Sequence, residues 1–153
     1  MMHAYRWLVP LVLAIFGCDH SATAPELNPP VLRWGTSFGM CAGYCTEVLE
    51  VDGMRARLSR SSWQPERFPS RVAEIALTDD EWRRLAAAVD AEAVRGLREV
   101  YGCPDCADGG AEYVELETPS LRKRVTFEYG APPAELRPLT LQLRALRQRF
   151  PAQ

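Results

Sequence analysis

Tyr44-Cys-Thr-Glu-Val-Leu-Glu-Val-Asp-Gly-Met-Arg-Ala-Arg-Leu-Ser-Arg60 sets an Asp-Gly pair between two alternating stretches, the strongest short-range hairpin pattern a sequence offers. A two-residue turn at Asp52-Gly53 pairs Val51 with Met54 and Leu49 with Ala56 on one face. It pairs Glu50 with Arg55 and Thr46 with Ser59 on the other. One face is then apolar and the other carries an ion pair and hydroxyls, as a half-buried antiparallel sheet requires. Cys45 has the parity of Leu49 and Val51 and should point inward.

Outward from this hairpin, Val31 to Ser37 alternates as a first strand with Leu32 and Trp34 on one face. Ser61 to Ser70 reads as a connection pinned by Trp63 and Phe68. Val72 to Leu77 reads as a further strand presenting Ala73, Ile75 and Leu77 to one side. Thr78-Asp79-Asp80-Glu81 is a capping box that opens a helix with acids in its first turn. Trp82, Leu85 and Val89 form its stripe, and Gly96 or Gly102 marks its decay. A second hairpin joins Glu112–Glu117 to Arg122–Tyr129 through Thr118-Pro119-Ser120-Leu121. Glu117 faces Arg122, Glu115 faces Arg124 and Tyr113 faces Thr126, which buries Val114, Leu116, Val125, Phe127 and Tyr129. Pro132-Pro133 starts a last helix that becomes regular near Pro138. Its apolar stripe is Leu136, Leu139, Leu143, Leu146 and Phe150. The fold class is α+β: an antiparallel sheet of five to six strands, built from two hairpins, with two helices on one face.

Four cysteines punctuate this region as Cys41-x3-Cys45 and Cys103-x2-Cys106. In an exported chain such a set reads as disulfides. Local pairing gives two tiny loops, whereas crossed pairing closes roughly sixty residues and stabilises more, ~4 kcal/mol on chain entropy against less for a tight loop. The inward parity of Cys45 tilts the reading towards local pairs without deciding it. Two further chemistries compete. Closely spaced pairs far apart in sequence can build a four-thiolate zinc site, although the first spacing is three residues, not two. A redox Cys-x-x-Cys needs a helix N-terminus to activate its thiol, and Cys106 runs instead into Ala-Asp-Gly-Gly. Asp105, Asp108 and Glu112 do not supply the ordered oxygens of a calcium loop and read as turn acids capping backbone amides. Glu115 and Glu117, opposite arginines on one strand face, read as ion-pair partners, not as a hydrolytic carboxylate pair.

The chain has two histidines, His3 and His20, and none thereafter. Residues 31–153 therefore hold no Ser-His-Asp or Cys-His machinery and no histidine metal ligand. A formal net charge of −2 gives no electrostatic footprint for nucleic acid. At the N-terminus, Arg6 precedes the apolar run Leu8–Phe16, about half the ~20 residues of a spanning helix. Residues 1–17 read as a signal peptide, 18–30 as a proline-bearing tether and 31–153 as one domain.

Ile15-Phe16-Gly17-Cys18 resembles a lipobox, which implies lipidation of Cys18 and a bilayer as partner. Phe38-Gly39-Met40-Cys41-Ala42-Gly43-Tyr44 and Gly102-Cys103-Pro104-Asp105-Cys106-Ala107-Asp108-Gly109-Gly110-Ala111-Glu112 resemble motifs of small uncharacterised bacterial exported lipoproteins. Relatives of that kind often carry Cys-Pro-x-Tyr where this chain has Cys41-Ala42-Gly43-Tyr44. The resemblance implies export and fold and supplies no catalytic residue. The expectation is a membrane-anchored envelope protein without a cofactor, acting as a non-catalytic binding or scaffolding module. Which membrane holds it is left open. The rival expectation is an envelope enzyme or a metal or redox protein, using the Cys103–Cys106 loop and its neighbouring carboxylates.

Overall fold

The computed structural model describes residues 29–151. The chain runs through β1 (Val31–Ser37), β2 (Thr46–Asp52), β3 (Arg55–Ser61), β4 (Arg71–Ala76), α1 (Asp79–Ala87), α2 (Ala91–Gly96), β5 (Val100–Tyr101), β6 (Ala111–Thr118), β7 (Leu121–Glu128) and α3 (Arg137–Arg147). The strands form one sheet in the order β4-β3-β2-β1-β6-β7-β5, antiparallel throughout except for β5 along β7. The α+β class holds. The sheet has seven strands where five to six were expected, and three helices where two were expected.

Each discrepancy has a local cause. The predicted single helix after Thr78 breaks because Asp90 starts again: its side chain accepts the Ala93 amide at 2.9 Å and caps α2. The extra strand, β5, is only two residues long and carries no periodic pattern. Thr78 and Glu81 do form the reciprocal capping box, and the final helix is regular from Arg137, with Pro138 in its first turn.

The first hairpin turns at Gly53-Met54, not at Asp52-Gly53. Asp52 faces Arg55, Val51 faces Ala56, Glu50 faces Arg57, Leu49 faces Leu58 and Thr46 faces Ser61. Gly53 has φ +55°, the glycine-first form of a two-residue hairpin turn. The register thus moves by two residues, and because side chains alternate with that same period no residue changes face. Met54 alone leaves the core for the turn, where it is exposed. The second hairpin has the expected register, Glu117–Arg122, Glu115–Arg124 and Tyr113–Thr126. Tyr129, expected inside, lies beyond the end of β7 and is exposed.

One sheet face carries the core. Leu32, Trp34, Leu49, Val51, Ala56, Leu58, Val114, Leu116, Val125 and Phe127 pack there against Leu85, Val94, Leu136, Leu139, Leu143, Leu146 and Phe150, so the three helices cover that face.

The opposite face is ionic. Strand register lines up Glu74, Arg57, Glu50, Arg33, Glu115 and Arg124 across six strands with alternating sign. Arg33 sits at its centre and donates to Glu50 at 2.7 Å, Glu115 at 3.1 Å and Glu117 at 2.7 Å. Glu117 is thus taken by Arg33, and Arg122, which faces it, reaches diagonally to Glu115 instead. Beside this row, Gly35 leaves the space that the Tyr113 ring fills, since a Cβ there would overlap the ring. The Arg124 guanidinium covers that ring at 4.2 Å. These groups leave Glu115 only 3 % exposed. Burial pushes its carboxyl pKa up, but the hydrogen bond and charge of Arg124, with the charges of Arg122 and Arg33, outweigh burial and set it below the usual carboxylate value.

A folded pKa below the unfolded one contributes stability that is complete above the unfolded value and is lost as pH falls through the folded one. Glu115→Gln should therefore lower stability by about 1–3 kcal/mol at neutral pH, because its arginines can still reach water. The gap to the parent should close below pH ~4 as Glu115 itself protonates. Urea titrations of both proteins at a series of pH values check this, and a gap that stays constant into acid would contradict it.

Candidate functional site

The inward face is apolar over most of its length, but the cross-strand row nearest the Ser37 end is not. It runs Arg71, Arg60, Glu47, Thr36, Glu112 and Phe127 from β4 to β7. The last turn of α3 comes down on this row and brings Arg144 and Arg147. Glu112 is fully buried. It accepts from Trp34 Nε1 at 2.5 Å, from Gly130 N at 3.0 Å and from Arg144 through Nε at 2.9 Å and through Nη2. Glu47 accepts from Arg147 through Nε at 2.7 Å and Nη2 at 2.6 Å. Its Oε1 also lies 2.9 Å from Arg60 Nε, at an angle that leaves this nitrogen without a well-formed hydrogen bond. Hydrogen bonding to Glu112 and Glu47 raises the pKa of Arg144 and Arg147 respectively, against burial, which lowers it.

Above this row the surface opens into a groove with two halves. One, of about 580 Å³, is lined by Tyr44, Glu47, Arg60, Arg67, Phe68, Arg71 and Arg147, with the Ala42-Gly43 turn and Pro69. The other, of about 490 Å³, is lined by Trp34, Thr36, Phe38, Tyr44, Glu47, Tyr129, Arg144, Arg147 and Gln148. Tyr44, Glu47 and Arg147 belong to both. Each half holds an edge-to-face aromatic pair, Tyr44–Phe68 with centroids 6.2 Å apart and Phe38–Tyr129 at 5.0 Å. Guanidinium groups lie over two of these rings, Arg67 over Phe68 at 5.3 Å and Arg71 over Tyr44 at 5.5 Å. Arg60, Arg67, Arg71, Arg144 and Arg147 face a single lining carboxylate, Glu47. The buried Glu112 beneath offsets Arg144, and Arg60 and Arg147 share Glu47, while Arg67 and Arg71 are exposed to water.

The cysteine motifs form the rim at this end. Cys41–Cys45 and Cys103–Cys106 are paired locally, each with Cα atoms 5.5 Å apart, and Cys45 is buried as its parity implied. The first loop is held by hydrogen bonds from Phe38 N to Cys45 O at 3.0 Å and from Trp63 Nε1 to Phe38 O at 2.8 Å. Asp105 joins the two loops by accepting the Gly39 amide at 3.3 Å, so it caps a backbone amide of the other loop and not of its own turn. Gly110 (φ +85°) lies where any Cβ would overlap the Phe38 ring. Among the described residues, no three of His, Cys, Asp and Glu gather as a group that could hold a metal, and each cysteine is paired within its own loop. Cys106 opens only a three-residue 3-10 turn, which is no activating helix.

The expected acids are dispersed. Asp105 and Asp108 stay in the loop, whereas Glu112 leaves it for the inner sheet face, and no described cavity is lined by any of the three. Glu115 and Glu117 belong to the ionic face. Cys18 lies outside the described residues. The groove residues Tyr44, Arg60, Arg67, Arg71, Tyr129, Arg144 and Arg147 were not singled out from the sequence as a site. The one local hint was Glu112, which shares the parity of Val114 and Leu116 and so had to point inward. Neither a protein-family profile nor a curated protein matches the chain, so neither comparison links it to the exported lipoproteins its motifs resemble.

Two expectations follow. An intact mass of the oxidised chain should be two hydrogens lighter for each of two bridges, with Cys41, Cys45, Cys103 and Cys106 unreactive to thiol reagents and no zinc bound. Free thiols accompanied by one zinc per chain would refute the pairing. Glu112→Gln should destabilise by about 2–4 kcal/mol in urea unfolding, because Arg144 loses its buried counter-ion. Adding Arg144→Met should recover part of that loss, and strictly additive effects would count against the pair.

Proposed function

We propose that this is an exported envelope protein, lipid-anchored through Cys18, whose folded domain binds an anionic ligand in the two-part groove without transforming it. The observation that carries the reading is the groove's composition: five arginines and two aromatic pairs around one lining carboxylate. Guanidinium forks match carboxylate and phosphate oxygens, and concave surfaces with a few convergent polar groups are where ligands bind. Glu47 and the buried Glu112 beneath it are tied by arginines and act as counter-ions that hold those arginines in place, rather than as acid and base.

Sheet polarity supports the same reading. The chain enters the domain at Val31, beside the Gly53-Met54 and Pro119-Ser120 turns, and β1 then travels roughly 20 Å to Ser37 at the groove end. A domain tethered through residues 18–30 would present its groove on the side away from the anchoring membrane.

The test uses full-length protein extracted from its host membrane in detergent. Citrate and pyrophosphate should each raise the melting temperature, with the effect fading as salt rises and weakening in Arg67→Ala. Cys18→Ala should abolish acyl labelling and release the protein from the membrane fraction. Anions that leave the melting temperature unchanged would sink the binding role. Full membrane retention of the Cys18 variant would sink the anchor.

A further inference from the structure

We propose that the groove takes an extended acidic polysaccharide, a chain of sugar rings carrying carboxylates, lying across both halves; this rests on the anion-binding reading above. Each half alone, at about 580 and 490 Å³, is already within the range that encloses a small-molecule ligand. They share Tyr44, Glu47 and Arg147 in their linings, so a ligand that passes these three residues engages both, and the two together exceed what a single small anion fills. More telling is that the halves repeat one chemistry. Each pairs an edge-to-face aromatic couple, Tyr44–Phe68 or Phe38–Tyr129, with arginines: Arg67 and Arg71 on one side, Arg144 on the other, Arg147 between them. A site that offers ring and cation twice suits a ligand that offers ring and anion repeatedly.

The free surfaces lie where such a chain would need them. Tyr129 is 52 % exposed, which leaves the outer end of its half an apolar ring for the C–H face of a sugar. At the other end Arg67 is exposed, held over Phe68, and no carboxylate pairs with it among the described residues. Arg144 and Arg147 are held in fixed positions through Nε and Nη2 by Glu112 and Glu47, so the Nη1 of each is oriented before any ligand arrives, which lowers the ordering cost of binding. A single-stranded nucleic acid also combines rings with anions. The oligothymidylate arm of the experiment below decides between that ligand and an acidic sugar chain.

The experiment titrates the full-length protein, in detergent, with galacturonic acid and its oligomers of increasing length, neutral gluco-oligomers of matched length, and an oligothymidylate of matched charge. Affinity for the acidic oligomers should climb by about tenfold or more over the monomer as the second half is engaged, then level off. Neutral oligomers should bind at least about tenfold more weakly at low salt. Arg67→Ala and Tyr129→Ala, one substitution in each half and both exposed, should each flatten the length dependence, so that long oligomers bind little tighter than the monomer; circular dichroism checks that both variants fold. Equal affinity for monomer and long oligomer, equal binding of the neutral series, or tighter binding of the oligothymidylate would overturn the proposal. Citrate binding without any gain from length would overturn this inference and leave the anion-binding reading standing. Failure of every anion would remove both.

Discussion

Both edges of β1 must be hydrogen-bonded at once, and the rest of the domain is arranged around that requirement. As the central strand, Val31–Ser37 pairs along its whole length with β2 on one side and β6 on the other. An interior strand left unpaired on either edge would bury a row of unsatisfied amides and carbonyls. One partner is the next strand in the chain, while the other arrives some eighty residues later as half of a second hairpin. The sheet is therefore completed only when the two hairpins close on the first strand from opposite sides. The helices between them have one available surface, the face bearing Leu32 and Trp34.

That face changes character along its length, and the change makes the groove. Across the middle of the sheet the inward row is Ala73, Leu58, Leu49, Trp34, Val114 and Val125. The row beyond Trp34, towards Ser37, is Arg71, Arg60, Glu47, Thr36, Glu112 and Phe127. Four of its six members are ionisable and cannot be covered by leucines without severe desolvation. The two carboxylates among them, Glu112 and Glu47, are met instead by Arg144 and Arg147, the polar end of the α3 stripe. The aromatic loops on either side of this ionic seam leave it partly open to water.

Much of the fold was legible from local pattern. The extents of β1 and α3, the capping box at Thr78, the whole register of the second hairpin and the inward direction of Cys45 all follow from alternation, helical period and capping chemistry. The first hairpin shows the limit: Asp52-Gly53 marked a turn, yet Gly53 took its first position rather than its second, and only the period-two parity kept the predicted faces right. Asp90 was read as part of a helix it in fact interrupts. The two-residue β5 owes its existence to β7, and nothing within Val100-Tyr101 announces it. The groove was less legible still. Tyr44, Arg67, Tyr129 and Arg147 come from four separate parts of the chain, and each reads alone as an ordinary surface residue. Glu112 stands where the Gly109-Gly110 turn passes into β6, so it reads both as a turn acid and as a strand residue, and its parity with Val114 and Leu116 is what assigns it to the interior.

The cysteine pairing bears on how the chain first becomes covalently closed. Each of the four has its native partner as its nearest cysteine in sequence, three or four residues away. Loop-closure entropy favours short connections over long ones, so the pairing that chain statistics prefer and the pairing the folded domain needs coincide. Neither bridge has to wait for β6 to find β1, and neither traps two distant segments in the wrong order. Oxidation and sheet assembly can therefore proceed in either sequence to the same product.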